Sequence, residues 1–458
     1  MAAHVTLELL EKHDKPGPRY TSYPTAPVWA KDFGAENYLE ALHELSSRNT
    51  DEISIYLHLP FCAMLCHFCG CTALVTRAKD AVDHYLDRVE HELEMVTQVI
   101  GRQRRAVQLH WGGGTPNYLK PHQAERALQL FRDHFDLAPE AEISLEIDPR
   151  IGSPEQVAHL HSIGFNRISM GVQDFDPRVQ EAIGRKQSQE RTLRVFQGCR
   201  DAGFDGVNVD LVYGLPRQNP ESFAKTLDVI IDREADRVAC FSYAHVPWVK
   251  PGQKKVDTTD MPTGYEKFAL FQLAIERFEE AGYDWIGIDH FAKGTDELSA
   301  ARRERRLHRN FMGYTTRPAP HMLAFGTSGI GEVCGRFVQN DADLKTGGTT
   351  VDSGRLPIVR GHRLTADDRL RRQAILNLMC NSELPYALTE PDFGAPANEL
   401  LAESLRKIRP YEEEGFVVFE EDRLRITQLG RHFARNICME LDAHLDRDRK
   451  KPLFSRTA

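Results

Sequence analysis

The sequence predicts an α/β protein: a partial or complete parallel (β/α) barrel carrying an N-terminal arm and a small, mainly helical, winged-helix-like C-terminal domain. Three observations carry that expectation. Short apolar runs alternate with amphipathic helical stretches from residue 53 to about 288, the order that implies parallel strands joined by right-handed crossovers. Glycine-rich and polar motifs fall just after those runs, where a (β/α) barrel gathers its functional residues. The rhythm stops near residue 365 and a helix–helix–hairpin–helix order follows. With 458 residues the chain is too long for one simple domain. The expected division is 1–50 for the arm, 51–364 for the barrel and its extension, and 365–458 for the C-terminal domain.

The arm contains Pro16-Gly17-Pro18-Arg19-Tyr20-Thr21-Ser22-Tyr23-Pro24. Three prolines in nine residues keep such a segment extended. The expected strands are 53–59, 107–111, 143–147, 167–170, 207–213, 238–243 and 285–288. The helices between them are 79–100, 121–135, 154–163, two stretches up to 202, 220–232 and 264–281. Beyond 365, helices are expected at 366–381, 397–408 and 428–442, with a hairpin of Phe416–Phe419 and Leu424–Ile426. Glu412–Glu414 and Glu420–Asp422 make that hairpin acidic, so a lid or packing role fits better than DNA binding.

Hydrophobic residues make up 41% and charged residues 27%, as in an ordinary soluble globular protein. No stretch approaches the ~18 apolar residues of a membrane span. The N-terminus lacks a basic-then-apolar leader, so a cytoplasmic location and no membrane association are expected. The net charge of −9 opposes general attraction to nucleic acid. An anionic substrate would need a local basic pocket.

Nine cysteines are present, and Cys62, Cys66, Cys69 and Cys71 lie within ten residues. One tight cluster and an odd total suit metal binding better than a disulfide framework. Cys199, Cys240, Cys334, Cys380 and Cys438 read as small buried hydrophobes. Three thiolates at x3 and x2 spacing, directly after the first strand, suit three corners of a 4Fe-4S cluster and leave one iron open. A zinc site using Cys71 as fourth ligand is the alternative. Structural zinc sites usually separate two knuckles by a longer stretch, which favours the cluster on Cys62, Cys66 and Cys69.

The Cys-x3-Cys-x-aromatic-Cys loop, with Phe68 as the aromatic, resembles the radical S-adenosylmethionine (SAM) signature. Further segments narrow the resemblance: Pro18–Pro24, Phe68-Cys69-Gly70-Cys71, Trp111-Gly112-Gly113-Gly114-Thr115-Pro116, Glu146-Ile147-Asp148-Pro149-Arg150, Ser169–Phe175, Asp210–Pro216, His308-Arg309-Asn310 and Arg435–Met439. Together they resemble the oxygen-independent coproporphyrinogen III oxidase (coproporphyrinogen dehydrogenase) family over nearly the whole chain.

The resemblance implies a barrel of radical SAM type and the oxidative decarboxylation of two propionates of coproporphyrinogen III to vinyl groups. The product is protoporphyrinogen IX, in anaerobic haem synthesis. It implies a 4Fe-4S cluster and two SAM molecules, a flavodoxin or ferredoxin-type electron donor, and a monomer. Tyr56, Phe68, the Gly112-Gly113-Gly114-Thr115 loop and Glu146 match positions at the first SAM. Gln173, Arg185 and Asp210 match the second, and Ala244 and Ile330 match backbone or packing contacts. Glycine lets the backbone approach a ligand closely, and a carboxylate such as Glu146 can accept from the SAM ammonium. Cys71 is implied to matter for catalysis without ligating the cluster. The substrate's four carboxylates need cations, for which Arg19, Tyr20, His308 and Arg309 are candidates. The basic run Arg302, Arg303, Arg305 and Arg306 is expected to be largely a solvated face, and His67 to support the cluster's ligands or pack beside them without ligating. Two relatives of other function compete. One is a haem chaperone, which usually lacks the Cys71 equivalent and the arm. The other is a radical SAM haem-modifying methyltransferase.

Overall fold

A computed structural model describes residues 5–388, 395–446 and 454–457. The chain divides into two compact units, each assembled from separate stretches of sequence.

Residues 30–211 and 317–363 form the sheet-bearing unit. Its first five strands are β1 (Ile53–Leu59), β2 (Arg104–Gly113), β3 (Phe135–Ile147), β4 (Arg167–Gln173) and β5 (Gly206–Tyr213). They lie side by side in that order, all parallel. On the far side of β1 comes the parallel strand His321–Phe325. Three antiparallel strands follow, Ile330–Val333, Arg336–Asn340 and Ile358–Arg363. Within this unit the sheet is open.

The crossover helices begin where the sequence supplies an N-cap followed by proline. Ser153 caps Pro154–Ser162, Asp176 caps Pro177–Ala182 and Asn219 caps Pro220–Asp232, each accepting a backbone N–H with its side chain. Proline at the first position gives up no hydrogen bond there. The helix Gln189–Ala202 ends at Gly203 in the left-handed region. The core beneath the sheet is aromatic and aliphatic: Trp111 is fully buried and meets Phe165 edge to face, with ring centroids 4.8 Å apart. Residues 35–46, expected within the arm, form a helix in this unit. Glu44 pairs with Arg336 there and Glu40 with Arg363.

Residues 1–29, 212–316 and 364–458 form the second unit. Here the strand expected near 285–288 does not follow a parallel crossover. Arg237–Ser242 pairs antiparallel with His290–Lys293, which pairs antiparallel with Tyr283–Ile286. Only Gly287–Asp289 joins the last two strands, a link long enough for a hairpin and far too short for a crossover. The C-terminal region has the expected helix Ala366–Asn381 and the hairpin strands Val417–Phe419 and Arg423–Ile426. A third strand, Glu383–Pro385, joins them. The expected helix 428–442 is a short 3-10 turn, Gly430–Phe433, continued by Ala434–Met439. The Pro16–Pro24 segment is extended as expected, and Tyr20 and Tyr23 are buried in one core with Leu370, Ile375, Phe416 and Ile437. The tail pairs with the arm through Pro16 and Arg456.

Candidate active site

The parallel strands deliver their C-terminal ends to one edge of the sheet-bearing unit. Along the face above that edge, polar residues interrupt otherwise apolar strands at every second position. Tyr56 and His58 on β1, His110 on β2, Ser144 and Glu146 on β3, Ser169 on β4, and Asn208 and Asp210 on β5 share this face. The register aligns Tyr56 with His110 and His110 with Ser144. It also aligns Glu146 with Ser169 and Ser169 with Asn208. His110 Nδ1 lies 2.8 Å from Ser144 Oγ. Ser169 Oγ donates to Asp210 at 3.0 Å, and Asn208 Nδ2 donates to Asp210 at 2.8 Å.

The cysteine loop follows β1. Its ends are tied by Cys62 N–H donating to Leu74 O at 2.9 Å and Leu74 N–H to Pro60 O at 2.7 Å. Its middle is tied by His67 N–H donating to Ile183 O at 2.9 Å. The His67 ring covers Gly184, the packing alternative expected of it. None of the nine cysteines is in a disulfide. Burial first, then the negative charge of Cys69 and Cys66, pushes the Cys62 thiol up to about 11, against the Thr115 hydrogen bond. The Cys71 side chain is exposed, and its backbone N–H donates to Cys69 Sγ at 3.4 Å.

The donor set fits a cubane cluster better than zinc. Tetrahedral zinc with Zn–S bonds of ~2.3 Å holds its sulfurs within about 4 Å of one another. Among the described residues, no three of these four sulfurs come within 4.8 Å of each other.

The glycine loop closes over the start of the cysteine loop. Gly114 N–H donates to Leu59 O and Thr115 N–H to Phe61 O, both at 2.8 Å. A Cβ on Gly114 would lie 2.7 Å from the Pro60 backbone. At Gly113, φ is +108° and a Cβ would lie 2.5 Å from the His58 ring. Only glycine meets both conditions.

Glu146 lies beside this loop. It accepts from Gly113 N–H at 3.3 Å and stands 3.6 Å from His110 Nε2. Burial raises its pKa, but the hydrogen bond and charge of His110, with the Gly113 N–H, pull it below the usual carboxylate value. Glu146 is therefore an anion at neutral pH. Tyr56 stacks on His110, with centroids 6.0 Å apart. Burial first, then Glu146 and Cys71, raises its phenol well above 10, so it stays a neutral donor.

Beyond β3, Asp148 is shared by two arginines. Arg150 Nη2 lies 2.6 Å and Arg185 Nη2 3.2 Å from its oxygens. Burial raises the Asp148 pKa, but Arg185 and Arg150 together hold it below its ordinary value. Both guanidiniums also reach Cys66 Sγ, each at 3.4 Å. Arg185 Nη2 donates to Gly171 O at 2.6 Å. The Gln173 amide and the Arg185 guanidinium crowd the space where a Gly171 side chain would stand. The structure thus brings Gln173, Arg185 and Asp210 to neighbouring strand ends. Phe68 is half-buried in the cysteine loop, and Ile330 begins the strand Ile330–Val333.

Sequence reasoning assigned no role to His58, His110, Asp148 or Arg150. For the two histidines the signal was available: polar residues recurring with period two inside apolar strands.

The remaining candidates lie in the second unit. Arg19 donates to Ser242 O at 2.6 Å and lines a cavity with Asp289, Arg431 and Arg435. Tyr20 is buried and donates to Asp442 at 3.0 Å. Arg309 is buried, donates to Arg19 O at 2.9 Å and stacks on Tyr314. Burial and the charge of Arg372 lower the half-buried His308 to about 4, so it is neutral near pH 7. Ala244 O accepts from Gln253 at 3.1 Å. Arg303, Arg305 and Arg306 are solvent-exposed, as expected of that run.

The fold and the cysteine loop define a radical SAM enzyme. Residues 56–230 match the radical SAM superfamily, and residues 364–433 match the HemN C-terminal domain. The oxygen-independent coproporphyrinogen III oxidase of Salmonella typhimurium is 41% identical over 98% of this chain and 98% of its own. The enzyme of the same name from Synechocystis is 41% identical over 98% and 97%. The solved structure of coproporphyrinogen III oxidase (HemN) from Escherichia coli, described as a radical SAM enzyme, superposes with a TM-score of 0.91 at 39% identity. That superposition covers 97% of this chain and all of that one. The chain belongs to the oxygen-independent coproporphyrinogen III oxidase family.

No described helix is long and apolar enough to cross a membrane.

Proposed function

We propose that this chain converts coproporphyrinogen III to protoporphyrinogen IX by oxidative decarboxylation of two propionates. The observation that carries the reading is the cysteine loop, stitched to the glycine loop and flanked by Glu146 at the C-terminal edge of the parallel strands. A 4Fe-4S cluster on Cys62, Cys66 and Cys69, when bound, supplies the electron that cleaves SAM and so provides the oxidant for hydrogen abstraction. Each propionate then gives one hydrogen atom to that oxidant, releases carbon dioxide and passes one electron to an external acceptor, and so becomes a vinyl group.

The chain's own residues bind and orient. Glu146, ionised and partly held by Gly113 N–H, accepts from the ammonium group of the first SAM. The backbone of Gly112, Gly113, Gly114 and Thr115 follows its methionine moiety, and Tyr56 and Phe68 flank it. Gln173, Arg185 and Asp210 receive a second SAM, with Ala244 and Ile330 as backbone or packing contacts. Cys71 acts at the substrate, outside the cluster. Arg19 and His308 contact the substrate carboxylates, while Tyr20 and Arg309 hold the arm that carries Arg19. The functional divisions proposed are 1–50, 51–364 and 365–458, which cut across the two compact units, in a cytoplasmic monomer. A flavodoxin or ferredoxin-type donor reduces it, and neither nucleic acid nor membrane takes part.

The fate of SAM tests this reading. Anaerobic turnover with a reductant and coproporphyrinogen III should release 5′-deoxyadenosine and carbon dioxide. S-adenosylhomocysteine with a methylated product would point to a methyltransferase. Stoichiometric haem binding with no SAM consumption would point to a chaperone.

A further inference from the structure

Arg150 lies outside the residues so far given a role, yet its surroundings are unusual for a structural arginine. Its side chain is only 7% exposed. Nε and Nη2 grip Asp148 at 3.0 and 2.6 Å, and Nη2 also reaches Cys66 Sγ at 3.4 Å. Nη1 is buried with no hydrogen-bond partner in the protein. Leaving such a donor unpaired costs about 1–3 kcal/mol, so its retention points to an acceptor that the protein atoms do not supply. The local charge agrees. Two guanidiniums face one carboxylate, which leaves one positive charge for an anionic partner to balance. The sulfurs of a bound cluster are acceptors of the required kind.

We propose that Arg150, clamped by Asp148, is a positioning residue for the cluster: it donates to the sulfur environment around Cys66 and raises the cluster's reduction potential. Hydrogen bonds and positive charge at cluster sulfurs stabilise the reduced state, in which those sulfurs carry more negative charge. Asp148 also binds Arg185, so the same carboxylate fixes both cations against Cys66. The proposal rests on the assignment of the cluster to Cys62, Cys66 and Cys69.

Redox titration of reconstituted protein, read by the electron paramagnetic resonance of the reduced cluster, tests it without turnover. R150Q should carry wild-type iron and sulfide but show a more negative midpoint. R150K, which keeps the charge and loses the fork, should fall between R150Q and wild type. An unchanged midpoint in fully loaded R150Q overturns the proposal. Should R150Q fail to load, R150K decides: a more negative midpoint supports the proposal and an unchanged one overturns it. Wild-type protein that binds no iron or sulfide contradicts the cluster assignment itself, and this proposal falls with it. That result is distinguishable from a loaded cluster of unchanged potential.

Discussion

The Thr115 hydroxyl lies 3.3 Å from Cys62 Sγ, so the glycine loop and the cysteine loop meet through a side chain as well as through their backbones. Removing the hydroxyl with T115V should weaken cluster retention by about 1 kcal/mol, the worth of one hydrogen bond. That corresponds to about fivefold faster iron loss to a chelator. T115S should restore the wild-type rate, because it keeps the hydroxyl.

Gly113 combines a positive φ with contact against His58. G113A should cost about 2 kcal/mol of stability or more, from the backbone conformation and the displaced imidazole. Urea unfolding monitors the loss. A fall in SAM affinity, measured by equilibrium dialysis, should accompany it, since Gly113 N–H also donates to Glu146.

Cys66 and Cys71 should separate on substitution. C66S removes a proposed ligand and should abolish both iron binding and turnover. C71S keeps the backbone N–H that donates to Cys69 Sγ. It should therefore retain iron and sulfide while losing turnover about 100-fold or more. Iron and sulfide analysis beside the activity assay distinguishes the two.

Much of this site was legible because its signals are local. An apolar run, a motif at its end, and an N-cap followed by proline placed Ile53–Leu59 and Pro220–Asp232 at the bounds the structure shows. The Asp148 cluster was not legible. Arg150, Arg185 and Cys66 are brought together by three loops far apart in sequence, and no periodicity announces an ion pair across such a distance. The antiparallel turn of Tyr283–Lys293 was missed because four-residue strands are too short to show their pairing. The first half of β3 was missed because Pro139 and the interspersed Asp136, Glu140 and Glu142 break up its apolar character. The helix Ala35–Ser46 was absorbed into the arm because Gly34 stands before it in place of a side-chain N-cap, so no start signal separates it from the proline-rich segment.

Lys267 gives a pH signature in the second unit. Burial first, with Arg19 and Arg435 in support and Asp14 opposing, lowers its pKa from 10.5 to about 8. Below pH 8 both states hold the proton and the folded state bears the full penalty. Between about 8 and 10.5 the unfolded state binds more protons, so stability rises with pH. K267M should therefore stabilise the protein by about 3 kcal/mol near pH 7, and the gain should shrink as pH rises through that window. Urea titrations of both proteins at pH 7 and pH 10 check the sign.

If an open 4Fe-4S cluster on Cys62, Cys66 and Cys69 directs oxidative decarboxylation of a porphyrinogen, the tetrapyrrole itself must change. The most direct measurement is anaerobic turnover of reconstituted protein with reductant, SAM and coproporphyrinogen III, followed by mass analysis of the tetrapyrrole. The expected result is loss of two carboxyl groups and formation of two vinyl groups, all of it absent in C66S. Unchanged coproporphyrinogen in a preparation with a full, reducible cluster would contradict it.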